Sequence, residues 1–111
     1  MCRALIVLCV AEDDVSLRSL KAATVSAGWE LAAGATDERQ ALDQIDVERP
    51  HVVVAFGDYE RFVAIVRDRF PGVRIVTDRD APGATVVAAS MDEVRGLVID
   101  LPRPGGPVMG G

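Results

Sequence analysis

The chain is 111 residues long, half of them hydrophobic, with a formal net charge of -5. That length holds one domain with a single core. The acidic balance, with no basic patch, speaks against direct nucleic-acid binding by this domain, and no apolar run is long enough to span a membrane.

The first element is a strand over residues 4–11, Ala-Leu-Ile-Val-Leu-Cys-Val-Ala, without one polar side chain. An unbroken apolar run rich in Val, Leu and Ile suits a strand buried on both faces, as in the middle of a parallel sheet. Three acids follow it: Glu12, Asp13 and Asp14. In open α/β sheets the site lies just past the carboxyl ends of the central strands, so the acids mark a candidate site. The apolar run ends in acids and not in a small-residue cleavage motif, which argues against a signal peptide. Cys2 and Cys9 are seven residues apart on or beside one extended strand, too far for a disulfide within it. Reduced thiols, and hence a cytoplasmic setting, are the expectation. Cys9 reads as core, since no basic partner is in view to activate it.

A helix is predicted over residues 15–27, capped by Asp14 and stopped by Gly28, with Leu17, Leu20 and Thr24 on one side. Residues 29–33 alternate as a half-buried strand. Thr36 or Asp37 caps the next helix, with Gln40 placed as in a capping box, Ala41, Leu42 and Ile45 inward, and Pro50 closing it. Residues 51–56, His-Val-Val-Val-Ala-Phe, form the second wholly buried strand, led in by His51. A turn at Gly57-Asp58-Tyr59 leads to an amphipathic helix over residues 60–70, ended by Pro71-Gly72. Residues 73–77 are a strand. Residues 78–84 have no helical face, and 85–89 are a short strand. Ser90, with Glu93 three residues on, opens the last helix, whose stripe is Met91, Val94, Leu97, Val98 and Leu101. The Pro/Gly-rich stretch 102–111 reads as a flexible tail or linker, leaving 1–101 as the domain. Strands and helices alternate, which predicts a three-layer α/β/α sandwich with a mainly parallel five-stranded sheet.

In order and spacing, these elements resemble a response-regulator receiver domain of two-component signalling, across about residues 3–101. Glu12-Asp13 looks like the family's Mg²⁺-holding acid pair, followed by Asp14, Arg18 and Leu20. Gly28-Trp29-Glu30-Leu31 is similar to the turn into the family's second strand. Asp37 with Ala41-Leu42 resembles its second-helix motif. Pro50-His51-Val52-Val53-Val54 resembles the lead-in to its third strand, and Thr77 falls on its switch hydroxyl. The resemblance implies a flavodoxin-like sheet of order 2-1-3-4-5.

The departures from the family are equally specific. The phosphoacceptor aspartate falls on Phe56, which has no nucleophilic oxygen. The lysine at the end of the fifth strand falls on about Ala88. Eleven positions separate Thr77 from Ala88, about half the family's gap, so the fourth helix is missing or replaced by a loop. Nucleophile, cation and switch helix are altered together, as in a pseudo-receiver.

Each candidate residue also has a plainer role. Glu12 and Asp13 are expected as a vestigial acid pocket or a weak Mg²⁺ site, with no other cofactor. Asp58 has the strand parity of Phe56 and lies two residues further out. It is the alternative phosphoacceptor or simply a turn residue. Thr77 reads as a strand-end hydroxyl. Three carboxylates in the first loop disfavour a phosphate-cradling nucleotide or flavin site.

The expected function is a non-enzymatic, phosphorylation-independent interaction module of a bacterial signalling or transcriptional regulator. The alternative is a phospho-receiver using Asp58 with Glu12, Asp13 and Mg²⁺. Seven residues, extended, span about 23 Å, enough to pass a strand of about 17 Å, so the fifth strand is expected to be parallel, with an antiparallel edge as the alternative. Without a fourth helix, Ile75, Val86 and Val87, with parts of Val94 and Val98, are expected to be partly bare, beside Met91. They would form the interface of a homodimer or a docked output segment.

Overall fold

β1 (Leu5–Val10) lies inside the sheet, paired in parallel with β2 (Trp29–Leu31) on one edge and β3 (Val52–Ala55) on the other. A computed structural model describes residues 5–26, 28–79 and 84–100. Beyond β3 come β4 (Arg74–Thr77) and β5 (Val86–Val87), both parallel, which gives the order β2-β1-β3-β4-β5. This is the expected flavodoxin-like topology. Cys2, the end of the first predicted helix at Ala27, residues 80–83, Leu101 and the tail 102–111 lie outside the described residues.

Strand alternation divides the core into two layers. Val7, Cys9, Val52, Val54 and Val76 face α1 (Asp14–Thr24) and α4 (Met91–Asp100), where Leu20, Val94 and Val98 meet them. Leu8, Val10, Val53, Ala55 and Ile75 face α2 (Glu38–Glu48) and α3 (Glu60–Arg69), against Ile45, Phe62, Val63 and Val66. Successive side chains of a strand point to opposite faces, so a strand buried on both must be apolar throughout. β3 meets this condition with four fully buried residues.

Local chemistry accounts for the helix ends. The N-cap of α1 is Asp13 and not Asp14: its carboxylate accepts from the Ser16 N–H at 2.7 Å. Asp14 is the first helical residue, which leaves Asp13 extended and free to cap. α1 also ends at Thr24, ahead of Gly28: Val25 leaves helical geometry, and the Trp29 indole N–H donates to the Thr24 carbonyl at 2.9 Å. Asp37 caps α2 by accepting from the Gln40 N–H at 2.7 Å, and Gln40 Oε1 accepts from the Thr36 N–H in return. Arg49 closes α2 in the left-handed region, φ 53°, ahead of Pro50. His51 leads into β3 as expected, and its Nδ1 accepts from the Ile6 N–H at 3.0 Å.

β5 is held by few bonds. Thr85 N–H donates to the Ile75 carbonyl, Ala88 N–H to the Thr77 carbonyl, and the Thr85 hydroxyl accepts from the Ile75 N–H. The side-chain hydroxyl thus extends a ladder only two residues long.

The predicted bare interface is corrected by this packing. Ile75, Val94 and Val98 are buried, at 1%, 0% and 3% exposure. α4 returns beside α1 and seals Val94 and Val98 against the sheet, while α3 already covers Ile75 on the other face. Val86 and Met91 are half-buried against the α1–α4 layer. Only Val87, 44% exposed, stays largely open. Val87 pairs with Thr77, so it shares the face of Ile75, beyond the reach of α3. Among the six residues, Val87 at the β5 edge is thus the one left open.

Candidate functional site

The carboxyl ends of β1, β3 and β4 bring together Glu12 and Asp13, Phe56 to Tyr59, and Thr77 to Arg79. The β1–β3 register sets the first two opposite each other: Val10 pairs with Ala55, and Phe56 N–H donates to the Val10 carbonyl at 2.9 Å. Thr77 in turn pairs with Ala55 across β3–β4.

Phe56 does not face the exposed acids. It is buried at 9% exposure in the hydrophobic layer that also contains Ala88, Val94 and Val98. The two positions at which the family resemblance implied an aspartate and a lysine therefore belong to one apolar cluster. The backbone then turns at Gly57, φ 126°, and the side chain of Glu12 lies across it. Asp58 is exposed at this turn. It is not a helix cap: Tyr59 holds the N-cap position of α3, without a side-chain capping bond.

Three residues that pattern reading passed over complete the site. The Tyr59 hydroxyl donates to the Ala11 carbonyl at 2.7 Å and lies 3.3 Å from that of Thr36, tying the start of α3 to the end of β1 and to the loop ahead of α2. Burial raises its pKa, and the charges of Glu12, Asp37 and Asp13 add to the rise. The Asp78 carboxylate accepts from the Gly57 N–H at 3.2 Å. Arg79 grips both oxygens of Asp78, Nε at 3.1 Å and Nη2 at 3.3 Å. Thr77 is buried, and its hydroxyl donates to the Arg79 carbonyl at 2.6 Å. A small pocket opens among Gly57, Asp58, Tyr59, Thr77 and Arg79. The available signal was positional, since Asp78 and Arg79 directly follow a strand at the edge where sites form.

The donors present do not fit a divalent cation. Hard cations need several convergent oxygens. Asp13 is committed to the cap of α1, and hydrogen bonds from Ser16 hold its carboxyl below the usual range. Glu12 packs on Gly57, Asp78 is bound by Arg79, and Phe56 offers no oxygen. Among the described residues no three acidic, histidine or cysteine side chains converge as metal ligands.

Cys9 lies on β1, 1% exposed. Burial pushes its thiol up to about 11, against smaller lowering effects from a hydrogen bond with Thr24 and the charge of Lys21. It is a core residue, as expected. Among the described residues no helix is long and apolar enough to cross a membrane.

No protein-family model matches the chain, and no curated protein matches it. Solved structures do. The chemotaxis response regulator CheY4 of Vibrio cholerae superposes with a TM-score of 0.69 at 20% identity, over 87% of this chain and 97% of that one. A CheY-like receiver domain protein from Methanospirillum hungatei JF-1 gives 0.71 at 16% identity, over 88% and 93%. The receiver domain of an HD domain-containing protein from Pseudomonas fluorescens Pf-5 gives 0.60 at 19%, over 68% of this chain and 63% of that one. At these identities the likeness establishes the receiver-type fold.

Proposed function

We propose that this chain is a receiver-like module of a bacterial signalling or transcriptional regulator that accepts no phosphoryl group and acts through protein contact. The observation that carries this reading is the burial of Phe56 in one apolar layer with Ala88. A phosphoryl switch needs a nucleophilic carboxylate and a cation to balance the transferred charge. Here both positions are filled with hydrocarbon. The Thr77 hydroxyl, the remaining switch element, is already bonded to the Arg79 carbonyl. The module has no catalysis of its own in this reading. Its partner is a second copy or an output segment, met at the open edge of β5 around Val87, and its setting is the cytoplasm.

The deciding experiment is acetyl phosphate with MgCl2, followed by intact mass. No gain of a phosphoryl group is expected. A gain that disappears in Asp58→Asn would establish the second reading, a phospho-receiver built on Asp58. That reading is favoured by one observation: Asp58 is exposed in a pocket that it shares with the Thr77 side and Arg79.

A further inference from the structure

We propose that Arg79 supplies, from within the chain, the positive charge that a divalent cation would otherwise bring to this acidic edge of the sheet. The geometry is that of a latch. The guanidinium fork meets both oxygens of Asp78, at 3.1 and 3.3 Å, and one of those oxygens also accepts from the Gly57 N–H at 3.2 Å. Arg79 is held in turn by its own backbone, whose carbonyl accepts from the buried Thr77 hydroxyl at 2.6 Å. The start of the β4–β5 connection is thereby fastened to Gly57, the second residue after β3. A planar fork on a carboxylate gives direction as well as charge, which a hydrated lysine ammonium does less well.

The surroundings explain why a cation is needed. Glu12 lies over Gly57, and Asp58 lines the same pocket as Arg79. Carboxylates gathered at one edge favour a counter-charge among them. The Arg79 proton is held more firmly by the hydrogen bond and charge of Asp78, and then by the charges of Asp58 and Glu12. A metal ion would have to displace the guanidinium from Asp78 and draw Glu12 off Gly57. The mismatch between this site and a metal site is thus a substitution of one cation by another. It stands apart from the reading on phosphorylation, because its readouts are stability and cation binding, whereas that reading is tested by mass.

The test uses the full chain at constant ionic strength. Adding 10 mM MgCl2 should move the melting temperature of the wild type by less than about 1 °C, and that of Arg79→Gln upward by about 3 °C or more. Arg79→Lys keeps the charge without the fork and should respond less than Arg79→Gln does. Independently of any variant, Mn²⁺ at about 1 mM should leave the Gly57 amide resonance of the wild type unbroadened, as hard-cation binding needs free oxygens. Selective broadening of Gly57 in the wild type would overturn the proposal. So would an Arg79→Gln chain that gains nothing from Mg²⁺, or an Arg79→Lys chain that responds as Arg79→Gln does.

Discussion

A Cβ placed on Gly57 would stand 2.5 Å from Cγ of Glu12 and 2.8 Å from its Cδ. The acid of the first loop and the turn after β3 are therefore fitted to each other, and only glycine leaves the room. The turn also has φ 126°, which L side chains rarely adopt. Gly57→Ala should cost about 1–3 kcal/mol. Combining it with Glu12→Ala should recover the steric part and leave the backbone part. Urea unfolding of the four chains in a double-mutant cycle measures the coupling, and a coupling of zero would show that Glu12 simply swings away.

Phe56 should behave as core and not as a vacant acceptor site. Phe56→Ala is expected to destabilise by about 3 kcal/mol or more through lost burial and the cavity left behind. Phe56→Asp should cost at least as much, since it adds a carboxylate to an apolar layer. Restoring the acceptor by that one change should give a poorly folded chain and no phosphorylation, as judged by circular dichroism and intact mass.

Cys9 predicts a pH dependence with a definite sign. Its thiol has an ordinary value of 9.0, raised to about 11 by burial. Between those values the unfolded chain releases a proton that the folded chain keeps. The native state then binds more protons, so stability falls as pH rises from about 9 towards 11, by about 2–3 kcal/mol in all. Below pH 9 this contribution to stability is intact. Cys9→Ala should flatten that part of the slope in urea unfolding at pH 8 and 10.5. An unchanged slope would locate the alkaline sensitivity elsewhere.

Self-association, if it occurs at the β5 edge, should respond to Val87 and not to the last helix. Val94 and Val98 are buried, so Val94→Glu and Val98→Glu should unfold the chain by burying an unpaired charge. Val87 is 44% exposed, and Val87→Glu should leave the fold intact, within about 0.5 kcal/mol. Light scattering over a concentration series separates the cases. A dimer unaffected by Val87→Glu would place the contact on another face.

The chain's own pattern determined the elements and their arrangement. Two unbroken apolar runs, at β1 and β3, allow only strands covered on both faces, and such strands belong in the middle of a parallel sheet. Caps and breakers act over three or four residues, so Asp37 with Gln40 was legible and Asp13 against Asp14 was missed by one position. The short β4–β5 connection was legible from length alone. The site and the surface were decided by tertiary structure. Whether Ile75, Val94 and Val98 are bare depends on where α3 and α4 come to rest, which no local period encodes. Tyr59 meets Ala11 across 48 positions, and Asp78 meets Gly57 across 21. A hydrogen bond between distant residues exists only once register and crossover have set their strand ends side by side. The same folding that brings Phe56 and Ala88 into one apolar layer turns Arg79 back onto Asp78 at the acidic edge.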